Sequence, residues 1–185
     1  MSRWASLAFG LSLAACDGSE PPRVDVSGLD PGFFECEIQP ILDRECAFSG
    51  CHGDPGRALF VYSMSKRREL GAESIGDPLT DREVCSNFYR TASFSADPVE
   101  SSQLITKPAT LSTARSLFHE GNYMFGAEDV EASCFRAWLS GELHQVGEAK
   151  EPPLDCRLPW RVAADGHHPK CQPRPLDCAR VLGGS

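Results

Sequence analysis

The stretch FFECEIQPILDRECAFSGCHGDPG, residues 33–56, decides how this chain is read. In its first half Phe34, Ile38, Ile41 and Leu42 recur at helical spacing, so one face is built to be buried. Asp30-Pro31 just upstream is an N-cap residue followed by proline at the first helical position, which marks the helix start. Pro40 falls inside the pattern and predicts a kink or a split into two short helices. The second half holds Cys46 and Cys51, with His52 directly after. On a regular helix, residues five apart point roughly 140° away from each other and lie about 7.5 Å apart along the axis. That is too divergent for one shared partner and too long for the usual span of a disulfide. Either use of the pair needs the intervening Ala-Phe-Ser-Gly to bulge out, and Gly50 supplies the backbone freedom. Geometry leaves both open.

The flanks favour one of them. Phe33, Phe34, Ile38, Pro40, Ile41, Leu42, Cys46, Cys51, His52 and Gly53 resemble, in order, the opening of planctomycete-type cytochrome c domains. The family pattern there is C-x-x-C-H-G, and this chain departs from it with a four-residue spacer. Further on, Ser102-Gln103-Leu104-Ile105-Thr106-Lys107-Pro108 resembles the family's Ser-x-Leu-Leu-x-Lys-Pro segment. His119-Glu120-Gly121-Asn122 is similar to its His-x-Gly-Gly, with Asn122 in place of the second glycine. Asn is the residue that next best tolerates a left-handed backbone. Trp138 before Gly141 completes the likeness, which spans about residues 33–142.

The resemblance implies a small, mostly α, cytochrome c-like domain with long loops. It implies haem c bound covalently through Cys46 and Cys51, with His52 as the proximal ligand of the iron. A six-coordinate electron carrier needs a second axial ligand, usually Met or His. His119 takes that distal place by the resemblance, Met124 is the rival and Met64 a more remote candidate. Without a haem, His119 would instead end a helix, where a partly positive ring favours the dipole. The contending function is a haem-free, disulfide-rich lipoprotein acting as a binding or structural module.

The first residues, MSRWASLAFGLSLAACDGSE, set one arginine before a short apolar run, Trp4 to Ala15. The run is too short to span a bilayer as a helix and is laid out as an export signal. Leu13-Ala14-Ala15-Cys16 resembles the bacterial lipobox, which implies acylation at Cys16 and an anchor of more than one lipid chain. The expected address is the bacterial cell envelope, facing the periplasm or the cell surface. Residues 1–15 are then the signal peptide and 16–29, polar with a Pro pair, a flexible tether. Net charge is −8, which offers no electrostatic reason for nucleic-acid binding. The expected partners are the membrane, through the anchor, and a redox protein that the sequence does not name.

Nine cysteines are many for 185 residues, and an exported chain meets an oxidising compartment. Cys36, Cys85, Cys134, Cys156, Cys171 and Cys178 are the disulfide candidates, in a pairing the sequence leaves open. Residues 30–150 read as the cytochrome c-like domain. Thr80-Asp81-Arg82-Glu83 is a capping box opening a helix with Val84, Cys85, Phe88 and Tyr89 on one side. A short helix is expected over Thr110–Phe118, and another over about 127–140 with Val130, Cys134 and Trp138 in a stripe and Gly141 past its end. The apolar stretch 57–65 is of uncertain type. Residues 151–185 hold six of the 14 prolines and three of the cysteines and read as an irregular tail stapled to the helical body.

Other chemistries find little support. His144 reads as surface. His167-His168 with Cys171 superficially resemble a metal clip, but zinc sites use four ligands with a spaced second pair. No serine sits in a nucleophile elbow, and there is no phosphate-binding glycine loop or zinc-protease motif. The chain reads as an electron carrier, not an enzyme.

Overall fold

Asp30 opens the first helix by accepting hydrogen bonds from the Gly32 and Phe33 amides on its side-chain oxygen, with Pro31 at the first helical position. The computed structural model describes residues 20–71, 74–109, 119–121, 123–141, 156–161 and 173–183. Among them the protein is helical, without strands.

Helix α1 covers 31–46 and is continuous, but not uniform. Ordinary α turns at Pro31–Phe33 and Gln39–Ile41 alternate with wide π turns at Phe34–Ile38 and Leu42–Cys46. Pro40 cannot donate a hydrogen bond, and it sits between the two wide turns. The chain widens around the proline where a kink or a split was expected. The wide turns keep Phe34, Ile38, Ile41 and Leu42 all within 1 % of full burial.

Helix α2 is Asp81–Ala92, capped as its sequence demands: Thr80 Oγ1 accepts from the Glu83 amide and the Glu83 carboxylate accepts from the Thr80 amide. Helix α3, Gln103–Thr106, is short and starts on Ser102, whose hydroxyl accepts from the Leu104 amide and donates to the Phe94 carbonyl. Helix α4, Val130–Leu139, ends before Gly141, whose φ of +69° is the left-handed position that glycine adopts without a Cβ penalty. Asp129 precedes α4, but its carboxylate turns back to the Gly126 amide and does not cap the helix. The tail, expected to be irregular, includes a 3₁₀ turn at Pro159–Arg161 and a short helix α5, Cys178–Gly183. The helix expected over Thr110–Phe118 lies outside the described residues, as do 1–19, His144, His167, His168 and Cys171. No helix among the described residues is long and apolar enough to cross a membrane.

Three aromatic rings join α1, α2 and α4. Phe34 meets Phe88 at 5.5 Å and Trp138 at 5.2 Å between centroids, and Phe88 meets Trp138 at 5.8 Å. Each phenylalanine buried this fully contributes about 1.5–3 kcal/mol. The Trp138 indole donates to the Asp30 carbonyl, tying the last turn of α4 to the start of α1. Two disulfides fasten the tail: Cys85–Cys178 holds α5 on α2, and Cys134–Cys156 holds the chain just before the tail's 3₁₀ turn to α4. Cys36 is also disulfide-bonded, to a partner outside the described residues. Arg174 adds an ionic clasp, bonding Glu35 on α1 and Asp81 on α2, each at 2.6 Å.

The uncertain stretch 57–65 bends at 57–59 and turns at 64–65, and between them residues 60–63 belong to no helix and have no strand partner. Asn87 on α2 substitutes for one: its side chain accepts from the Tyr62 amide and donates to the Tyr62 carbonyl, both at 2.8 Å. Gln39 on α1 joins the same carbonyl and also accepts from Asn87. The buried Arg90 guanidinium lies over Phe60 and Tyr62. Residues 59–62 are thereby buried between α1 and α2, and this segment positions the site.

Candidate functional site

Helix α1 delivers Cys46 in its last turn, and the chain then turns sharply. The Cys46 carbonyl accepts from the Phe48 amide at 2.9 Å and from the His52 amide at 3.1 Å, while the Phe48 carbonyl accepts from Cys51 and Gly53. These bonds fold residues 47–50 into an outward bulge, with Phe48, Ser49 and Gly50 exposed and Ala47 buried beneath them. The bulge that the five-residue spacing requires is present, and it places Cys46 and Cys51 on the wall of one cavity. Gly53 is required by close approach: a Cβ there would lie 2.5 Å from the Ala47 carbonyl oxygen.

Cys46 and Cys51 are both free and half-buried. Desolvation, reinforced by Glu45 and Cys51, pushes the Cys46 thiol up to about 12, so it stays protonated. Thiolate is the form that attacks disulfides, so this thiol resists exchange.

His52 is oriented from behind. Its Nδ1 lies 2.7 Å from the Leu59 carbonyl oxygen. A carbonyl only accepts, so Nδ1 carries the hydrogen and the neutral ring keeps its lone pair on Nε2. The Val61 amide donates to the His52 carbonyl at 2.7 Å, so the 59–62 segment holds both backbone and ring. Desolvation, against the Leu59 bond and with His119, Arg57 and Lys107 nearby, holds His52 below its ordinary value and keeps it neutral.

Across the cavity stands His119. The two imidazoles are near-parallel, 18° apart, with centroids 6.0 Å apart. Gly121 lies against both His119 and Met124: a Cβ there would be 3.1 Å from the His119 ring and 3.6 Å from the Met124 sulfur. Met124 also lines the cavity, whereas Met64 is exposed and does not. The Met124 amide donates to the Pro108 carbonyl, fastening this turn to the end of α3.

The cavity is about 400 Å³ and is walled mostly by apolar groups, including Leu42, Leu59, Phe94, Leu104, Phe125 and Phe135. Such a volume falls within the roughly 300–1,000 Å³ of small-molecule and cofactor pockets. Its charged lining is sparse: Glu45, which pairs with Arg44; Arg57 and Glu120, which pair with each other at 2.6 Å; and Lys107. The sequence pointed to Cys46, Cys51, His52, His119 and Met124, and the fold brings all five to this cavity. Arg57, Gln103 and Lys107 also line it and were not singled out as site residues; the signal available was cationic and amide side chains beside the recognised motifs. Cys16, the expected site of acylation, lies outside the described residues. The described members of the disulfide set, Cys36, Cys85, Cys134, Cys156 and Cys178, are all bonded. No protein-family model, curated protein or solved structure matches this chain.

Proposed function

We propose that this chain is an extracytoplasmic, lipid-anchored c-type cytochrome that passes single electrons through one covalently bound haem. One observation carries the reading: in a protein whose other described cysteines are all oxidised, the two spared thiols share an apolar cavity with two imidazoles. The residues fit the group. Two thiols on one wall suit addition to two vinyl groups, each addition forming a carbon–sulfur bond and placing the thiol hydrogen on the neighbouring carbon. His52, with Nδ1 committed to Leu59, has Nε2 available as the proximal ligand. His119 is the distal ligand of choice because its ring lines the same cavity as His52, with the two centroids 6.0 Å apart. Gly53 and Gly121 leave room where a Cβ would displace the chain or the distal donors.

When bound, the haem supplies a reversible one-electron change at iron. The chain's part is to hold the iron between fixed ligands in a pocket with few charges, so that little reorganises as the charge changes. Disulfides support an address outside the cytoplasm, and the lipobox-like segment ending at Cys16 supports an acyl anchor there. The test is expression alongside a haem-attachment system, followed by a reduced absorption spectrum and a haem stain after denaturing electrophoresis. A coloured band that survives denaturation is expected. A colourless protein whose intact mass is explained by disulfides alone would remove the reading. Fatty-acid labelling that marks the wild type and is lost in Cys16→Ser tests the anchor separately.

A further inference from the structure

Lys107 is the charge in the cavity wall that nothing answers. Arg57 is neutralised by Glu120, and Glu45 pairs with Arg44. No carboxylate among the described residues pairs with the half-buried Lys107. Holding a cation beside apolar side chains costs solvation unless a counter-charge arrives. Gln103 lies one turn earlier, and its carbonyl accepts from the Lys107 amide, so the two side chains leave α3 on one face. Both line the cavity. An ammonium beside a primary amide is a donor pair suited to a carboxylate, with the ammonium supplying the charge-assisted bond.

We propose that Lys107, assisted by Gln103, is the subsite for a carboxylate side chain of the bound tetrapyrrole. The inference rests on the haem reading and gives the pocket an orientation. The thiols Cys46 and Cys51 fix the edge that carries the vinyl groups, and Lys107 receives a carboxylate. Lys107 and the proximal ligand His52 line the same cavity, which fits this. It also gives a charge at the subsite a route to the iron.

The experiment follows the midpoint potential of the purified haem protein against pH by spectroelectrochemistry. Ionisation of a carboxylate near the iron bends that curve at the carboxylate's pKa. An opposite charge within about 4–6 Å lowers a carboxyl by roughly 1–3 pH units. Lys107→Gln should therefore move the bend upward by about one pH unit or more, while Lys107→Arg, which keeps the charge, should leave it near the wild-type position. A bend that stays put in Lys107→Gln overturns the proposal, and so does an equal displacement in Lys107→Arg. Should Lys107→Gln fail to accumulate as a haem protein, Gln103→Glu decides. Gln103 is exposed, and a second carboxylate there must push the bend upward; an unmoved bend overturns the proposal. If the wild type takes up no haem, the functional reading fails first, and the two failures are distinguishable.

Discussion

The two ends of α1 treat cysteine in opposite ways. Near its start, Cys36 is bonded, as are Cys85 and Cys134 on the helices packed around it. At its last turn, Cys46 faces a cavity with Cys51 and both stay reduced. Five of the seven described cysteines thus build a scaffold and two stay free on the cavity wall. The scaffold cysteines are fully buried or nearly so, between elements that approach closely. The spared pair is half-buried, on a bulge set by backbone hydrogen bonds to the Cys46 and Phe48 carbonyls. Oxidation state here follows local geometry: the bonded cysteines lie between closely packed elements, and the free pair lies on the cavity wall.

This contrast is broken most directly by removing each pair in turn. Cys85 and Cys178 are 93 residues apart, and closing a loop of that size restricts the unfolded chain by about 4–5 kcal/mol on a chain-entropy account. Cys85→Ser with Cys178→Ser should lower the urea-unfolding free energy by about that amount. Cys46→Ala with Cys51→Ala should cost the haem-free protein only about 1 kcal/mol and abolish haem staining altogether. Equal losses of stability from both double variants would erase the distinction between scaffold and site.

The ion pairs divide along the same line. Glu83 and Arg68 are a buried, bidentate pair, with side chains 0 % and 7 % exposed, and Arg68 also donates to the Ser74, Asp77 and Pro78 carbonyls. Arg57–Glu120 sits at the cavity rim, open to solvent, where such pairs contribute little. Glu83→Gln leaves Arg68 buried without its counter-charge and should cost about 3–5 kcal/mol by urea denaturation. Burial alone would raise the Glu83 pKa, but bonds from Arg68 and from the Glu69 and Thr80 amides outweigh it and hold it below 4.5. A carboxyl lowered on folding stabilises above its unfolded pKa and loses that contribution as pH falls through the folded value. The stability contributed by this pair should therefore be lost on acidification below about pH 4.5, and Glu83→Gln should flatten that part of the stability–pH curve. Arg57→Gln should leave it unchanged.

Much of the scaffold was legible because its signals are local. The Asp30-Pro31 start, the Thr80–Glu83 box and Gly141 past α4 each act within a few residues, and each is found in place. Glu83 shows where locality ends. Its capping bond was readable, but its pairing with Arg68, 15 residues away across a loop, was not. The same holds for Asn87, whose grip on Tyr62 makes the buried 59–62 segment possible and carries no signature in the chain. At the site, motif spacing named the donors that line the cavity. It missed the widening of α1 around Pro40, because backbone turns trade one hydrogen-bond register for another without changing which side chains are apolar. Lys107 was quoted as part of a motif, yet its meaning depends on every other charge nearby being paired.

The finest division within the site is between His119 and Met124, which share Gly121 as a neighbour. Neither contributes much to folding, since His119 stands at the cavity wall and Met124 is only partly buried. Their substitution should hardly move the unfolding midpoint, so the difference must be read at the iron. If the His119 ring is the ligand, two imidazoles flank the metal and the potential lies below that of a Met/His site, because thioether ligation raises it. His119→Ala should then give a high-spin spectrum and new carbon monoxide binding, while Met124→Leu leaves the spin state alone. The reverse pattern, or a methionine–iron charge-transfer band in the wild type, would give the place to Met124. His119 is favoured because its ring shares the cavity with the His52 ring, the centroids 6.0 Å apart, so a group bound between them would meet both imidazoles before the Met124 thioether.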